Sequence, residues 1–130
     1  MTRRVLLDTH VLLWWLGGDK RLSERAHLLL RDPTVTVHLS AVSVMEMAIK
    51  ARTGKLVLPL PAGALAADAI AEDGFVGLPV TLAHAAELEE LPLHHRDPFD
   101  RLLVAQARVE GLELISADAQ LVAYAVPVTW

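Results

Sequence analysis

The chain has 130 residues, 53% hydrophobic and 22% charged, with a net charge of −4, six histidines and no cysteine. That length fits one domain spanning residues 1–130, the composition is too apolar for a disordered chain, and the missing cysteines exclude a disulfide framework and a thiolate zinc site. No stretch approaches the ~20 apolar residues that span a bilayer. Asp8 and His10 interrupt the apolar run behind Arg3-Arg4, so no signal peptide is read and a reducing cytoplasm is the expected location.

The negative charge offers no bulk basic footprint for nucleic acid. That objection weakens if the acids cluster and hold divalent cations, which invert the local charge.

Short β-like runs alternate with helical stretches. Val5–Leu7 reads as a strand, and Thr9 to Leu16 as a helix stopped by Gly17-Gly18. Ser23 to Arg31 forms a second helix closed by Asp32-Pro33. Val35–Leu39 is β-branched enough for a second strand, and Val42 to Arg52 is helical up to Gly54. Pro59 and Pro61 break the chain before an alanine-rich helix from Ala62 to Glu72. Phe75–Leu78 is a third strand, and Thr81 caps a helix to Glu90. Asp97-Pro98 opens the clearest helix, which runs to Glu110 and stops at Gly111. Leu112–Ile115 is a fourth strand, Ala119–Tyr124 a short helix, and Val126–Thr129 a last strand or tail.

This alternation predicts an α/β fold with a mainly parallel central sheet covered by helices on both faces, a three-layer α/β/α arrangement. In such sheets sites lie at the carboxyl ends of the strands. Asp8 ends the first strand, Glu46 lies in the first turns after the second, and Asp118 directly follows the fourth. Parallel topology alone brings these three to one edge. Asp100, in the first turn of the Pro98 helix, follows a loop and is placed there less directly.

Each acid also has an ordinary explanation. Asp8, Asp97 and Asp118 are potential helix caps, Ser43-x-x-Glu46 fits a capping box, and Glu46 has Lys50 four residues on. Caps do not explain an Asp8 set between Val5-Leu6-Leu7 and Val11-Leu12-Leu13-Trp14-Trp15. Buried carboxylates together repel one another, and a divalent cation removes that penalty. Oxygen-only ligands favour Mg2+ or Mn2+ over Zn2+.

Four segments carry a resemblance: Val5-Leu6-Leu7-Asp8-Thr9-His10, Ser40-x-x-Ser43-x-x-Glu46, Asp97-Pro-Phe-Asp100-Arg-Leu-Leu-Val-Ala-Gln-Ala107 and Ile115-Ser-Ala-Asp118. In this order they resemble the four acidic motifs of PIN-domain ribonucleases, over a match from about Val5 to the C-terminus. The Asp97–Ala107 segment and Lys50…Gly54-Lys55-Leu56 look especially like the VapC toxin branch.

The resemblance implies a Rossmann-like PIN fold and metal-dependent hydrolysis of RNA. It also implies a VapB-type antitoxin and commonly a homodimer. It makes Asp8, Glu46, Asp100 and Asp118 the acidic constellation, with Asp8 and Asp100 as direct metal ligands. Glu46 and Asp118 are further ligands or orient water, and Asp97 caps its helix or assists the metal from outside. Thr9 and Ser116 orient water or carboxylates, or else cap helices; Lys50, Lys55, Arg96 and Arg101 are candidates to hold RNA phosphates.

Of the Trp doublet, Trp14 is assigned to the core and Trp15 to a partner groove. An acid–base pair drawn from His10, His27, His38, His84, His94 and His95 would instead cleave RNA without metal, and His94-His95 lies next to the Asp97 motif. An aspartyl phosphatase fits poorly, because its second Asp position is His10 and no phosphate loop follows Gly17-Gly18. A PIN nuclease of RNA processing and an inactive PIN-fold binding module are the remaining alternatives.

Overall fold

The computed structural model describes residues 2–94 and 97–130. Its elements are β1 (Arg3–Leu7), α1 (Thr9–Gly17), α2 (Glu24–Arg31), β2 (Val35–Ser40), α3 (Ala41–Arg52), α4 (Ala62–Asp73), β3 (Val76–Leu78), α5 (Leu82–Glu87), α6 (Pro98–Glu110), β4 (Glu113–Ile115) and β5 (Val128–Thr129). A 3-10 helix, Ala119–Ala123, joins the last two strands.

The strands form one sheet in the order β3-β2-β1-β4-β5, and every pairing is parallel. Parallel strands need crossover connections, which the helices supply. β1 lies at the centre, so Val5, Leu6 and Leu7 are buried on both faces and read as a continuous apolar run. Alternation then sorts them. Val5 and Leu7 join α1, α2, α3 and α4 in one core, with Leu12, Leu30, Met47 and Ala69. Leu6 joins α6 and the 3-10 helix in the other, with Leu103, Val104 and Leu121. The three-layer expectation holds.

Some boundaries differ from the sequence reading. The Thr81 helix ends at Glu87, short of Glu90, and the segment after Asp118 is 3-10. Ser40, not Ser43, begins α3, so Ser43-x-x-Glu46 is no capping box. Gly18 and Gly111 end α1 and α6 with φ of 60° and 67°, a left-handed conformation that glycine takes without a side-chain clash. None of the described helices is long and apolar enough to cross a membrane.

The order of the Trp doublet is reversed. Trp15 packs against Phe75 and His27, and its indole N–H donates to Asp73 Oδ2 at 3.1 Å. Trp14 instead faces a groove, its ring 5.5 Å from that of Trp130, with the Arg21 guanidinium 5.3 Å from its centre.

Candidate active site at the carboxyl edge of the sheet

From β1 the chain runs to β2 on one side, and it later returns to place β4 on the other. A crevice opens where an open parallel sheet changes direction in this way. Asp8 stands there. Its backbone N–H closes the last rung to Ile115 O at 3.0 Å, and its side chain caps α1 by accepting from His10 N at 3.1 Å. The other carboxylate oxygen accepts from Ser116 Oγ at 2.5 Å. Asp8 is 4% exposed. Burial pushes its carboxyl above the ordinary range; the bonds from Ser116 and His10 oppose that, and the charge of Glu46 adds to it.

Ser116 also accepts the backbone N–H of Asp118 at 3.0 Å. One hydroxyl therefore links the ends of β1 and β4. Asp118 is half-buried and caps the 3-10 helix by accepting from Gln120 N at 2.9 Å.

Glu46 reaches the same region from α3 and is 3% exposed. Its Oε2 accepts from Lys50 Nζ at 2.6 Å, while Oε1 is buried and lacks a hydrogen-bond partner. Ser43, one turn back, meets Thr9 through a buried hydroxyl pair at 2.9 Å, which binds α3 to α1. The capping role that spacing gave Ser43 is thus a helix-to-helix contact.

Asp97 caps α6 by accepting from Phe99 N at 2.8 Å and Asp100 N at 3.1 Å. The Lys50 ammonium is held more basic than usual, first by Glu46 and then by the fields of Asp97 and Asp100. The α6 acids therefore lie within electrostatic reach of the cation that touches Glu46. Among the described residues no three acids or histidines are gathered tightly enough to form a ready metal cage. The donor chemistry still suits a hard divalent ion: every candidate ligand is a carboxylate, and one buried oxygen of Glu46 is unsatisfied.

Of the candidate cations, Arg101 needs revision. The Arg101 guanidinium donates to Pro92 O at 2.8 Å and to Leu88 O at 3.3 Å, so it ties down residues 88–92 rather than facing the acids. Arg96 lies outside the described residues, as does His95 of the histidine pair.

His10 entered the sequence reading only as one of six histidines open to metal-free acid–base chemistry; its Nδ1 stands 3.9 Å from Asp8 Oδ1. Its position two residues after Asp8 was the available signal. A groove of about 410 Å³ opens beside Glu46, lined also by Thr9, His10, Trp14, Lys50 and Lys55 among others.

Comparison with known proteins gives the family of the fold. Residues 5–127 match the model of the PIN domain. The chain is 31% identical to Ribonuclease VapC22 of Mycobacterium tuberculosis over 90% of its own length and 88% of that protein. Its fold is similar to VapBC2 from Rickettsia felis bound to a promoter DNA fragment, with a TM-score of 0.71, 11% identity and 97% of each chain covered. It is also similar to a toxin–antitoxin complex from Klebsiella pneumoniae, with a TM-score of 0.65, 18% identity, and 97% and 96% coverage of the two chains. With these motifs on one sheet edge and the match running through nearly the whole length, the chain belongs to the PIN domain family.

Proposed function

We propose that this chain is a Mg2+-dependent endoribonuclease that acts as the toxin of a VapBC-type pair in the cytoplasm. The observation that carries the reading is the buried Asp8, joined through Ser116 to Asp118 and facing a Glu46 with an unsatisfied oxygen. That arrangement gathers more buried carboxylate than the single Lys50 ammonium bonded to Glu46 offsets. Ordinary capping does not require it.

Asp8, Glu46, Asp100 and Asp118 would hold the ion, with Mn2+ able to substitute for Mg2+. When bound, a divalent cation neutralises charge on a phosphodiester and on the oxygens that gain charge as it is cleaved. The protein's own part is positioning. Ser116 fixes Asp8, Thr9 and Ser43 hold α1 against α3, and Asp97 sets the first turn of α6. Lys50 and Lys55 line the groove where an RNA backbone would lie. In-line attack of water on phosphorus breaks the P–O3′ bond and leaves a 5′-phosphate and a 3′-hydroxyl.

The neighbours that are toxin–antitoxin complexes support a VapB-type antitoxin as partner. The wide groove beside Trp14 gives such a partner an apolar footing, and a homodimer is part of the same proposal.

Purified protein is incubated with total RNA with Mg2+, with Mn2+ and with EDTA. Cleavage that needs the ion and leaves 5′-phosphates supports the reading. Cleavage that persists in EDTA and leaves 2′,3′-cyclic ends overturns it. RNA binding without turnover at any metal concentration would make the chain a binding module.

A further inference from the structure

The segment from Asp97 to Ala107 contains one fully buried polar side chain that the site does not use. Gln106 on α6 is completely buried, as are Ser40 and His84 around it. Its Oε1 accepts from Ser40 Oγ at 2.5 Å, and its Nε2 donates to Pro79 O at 3.2 Å. The same amide nitrogen lies 3.3 Å from His84 Nδ1, which accepts the Thr81 backbone N–H at 3.0 Å. His84 Nε2 then meets Glu110 Oε1 at 2.9 Å, one turn further along α6.

Ser40 is the important end of this network. It is the last residue of β2 and the cap of α3, where its Oγ accepts from Val42 N at 2.9 Å. One hydroxyl thus links the start of the Glu46 helix to the middle of the Asp100 helix. The surroundings are apolar: Val42, Leu103, Val104 and Ala107 belong to one core. Apolar contact is strong but non-directional, so it holds two helices together without fixing their register. A fully bonded buried amide does fix it. Stability alone would be served as well by apolar side chains of similar volume.

We propose that Gln106 is a positioning residue that sets α3 against α6, and with them Glu46 against Asp100, through its bond to Ser40. The inference rests on the nuclease reading above. It predicts an effect on cation binding and turnover that exceeds any effect on folding or RNA capture.

The test compares wild type, Gln106→Met, Ser40→Ala and the double variant. Thermal melting, Mn2+ affinity by electron paramagnetic resonance, and kcat and KM for RNA are measured on each. Gln106→Met should weaken Mn2+ binding and lower kcat about ten- to a hundredfold, as losing a ligand-orienting partner does. KM should stay within about twofold. Ser40→Ala should give at least that loss, since it also removes the α3 cap on Val42 N, and the double variant no more than Ser40→Ala alone, because the shared link is already broken.

A folded Gln106→Met with wild-type Mn2+ affinity and kcat overturns the proposal, as do additive losses that follow only the melting temperature. Should Gln106→Met fail to fold, Ser40→Ala decides the matter from the other end. A wild type that binds Mn2+ but cleaves no RNA sinks the nuclease reading while the Mn2+ series still judges Gln106. A wild type that binds no Mn2+ sinks both.

Discussion

Ser116 Oγ donates to Asp8 Oδ2 at 2.5 Å, joining two residues 108 positions apart at the ends of adjacent parallel strands. This bond opposes the burial that raises the Asp8 carboxyl. Removing it in Ser116→Ala therefore raises that carboxyl further. The acid limb of the pH–rate profile should move to higher pH, and kcat should fall about ten- to a hundredfold. A profile superimposable on wild type would show that Ser116 does not tune Asp8.

Asp8→Asn should abolish cleavage, by ~10²–10⁴-fold or more, as expected for a group at the reacting centre. The metal-free protein should nevertheless become more stable near neutral pH. The sign follows from linkage. Burial raises the folded-state carboxyl, so between the unfolded and folded pKa values the native state binds the extra proton, and stability falls as pH rises through that window. The neutral amide removes this penalty. Melting curves across pH should show a higher Tm for Asp8→Asn at neutral pH and convergence toward wild type in acid. A lower Tm at neutral pH would contradict the buried-charge account.

Lys50 supplies the positive charge beside Glu46 when no other cation is near. Lys50→Met strips the partner from a buried carboxylate whose other oxygen is already unsatisfied. The metal-free protein should lose about 1–2 kcal/mol, the lower part of the range for an orphaned buried group, since the Lys50 side chain is partly solvated. Mn2+ should then stabilise this variant more than wild type, because the ion no longer competes with an ammonium. Equal Mn2+-induced shifts in Tm would mean that the ion does not occupy the space beside Glu46.

The sheet and its loaded edge were legible because both depend on local pattern. Val5-Leu6-Leu7 reads as a strand, and Asp8 and Asp118 follow their strands directly. Details set by distant partners were not legible. Ser43 stands three residues before Glu46, which imitates a cap, yet its hydroxyl is taken by Thr9 from another helix. Neighbouring residues on a helix point about 100° apart, so one member of the Trp pair had to face away from the other. Which one packs inward depends on where Phe75 and Asp73 lie, and neither is near in sequence. Arg101 looked free to grip phosphate until residues 88–92 folded back onto it.

Arg101→Gln follows from that last point. Losing bonds to carbonyls of residues 88–92 should lower stability by about 1–3 kcal/mol, the cost of hydrogen bonds to a charged group. RNA binding should keep its dependence on salt. A residue that contacts a phosphate would reduce the slope of log affinity against log salt by about one. A variant of wild-type Tm but reduced salt slope would return Arg101 to the phosphate-binding role.

On the proposed reading, the two tryptophans should separate stability from partner binding. Trp15→Ala removes packing against Phe75 and His27 and the bond to Asp73, and should cost roughly 3 kcal/mol, the low end for a large core aromatic because the ring is only partly buried. Trp14 contacts Trp130, Arg21 and His10 at the wall of the groove, so Trp14→Ala should leave a folded protein with only a small loss of Tm. Aromatic residues in grooves carry a disproportionate share of binding energy. Calorimetric titration with the cognate antitoxin should therefore show Trp14→Ala weakening the complex by about 2 kcal/mol, roughly thirtyfold in Kd. Trp15→Ala, measured below its melting temperature, should change the affinity much less. The opposite ranking would move the partner's contact from the groove to the face of α1 where Trp15 meets Asp73.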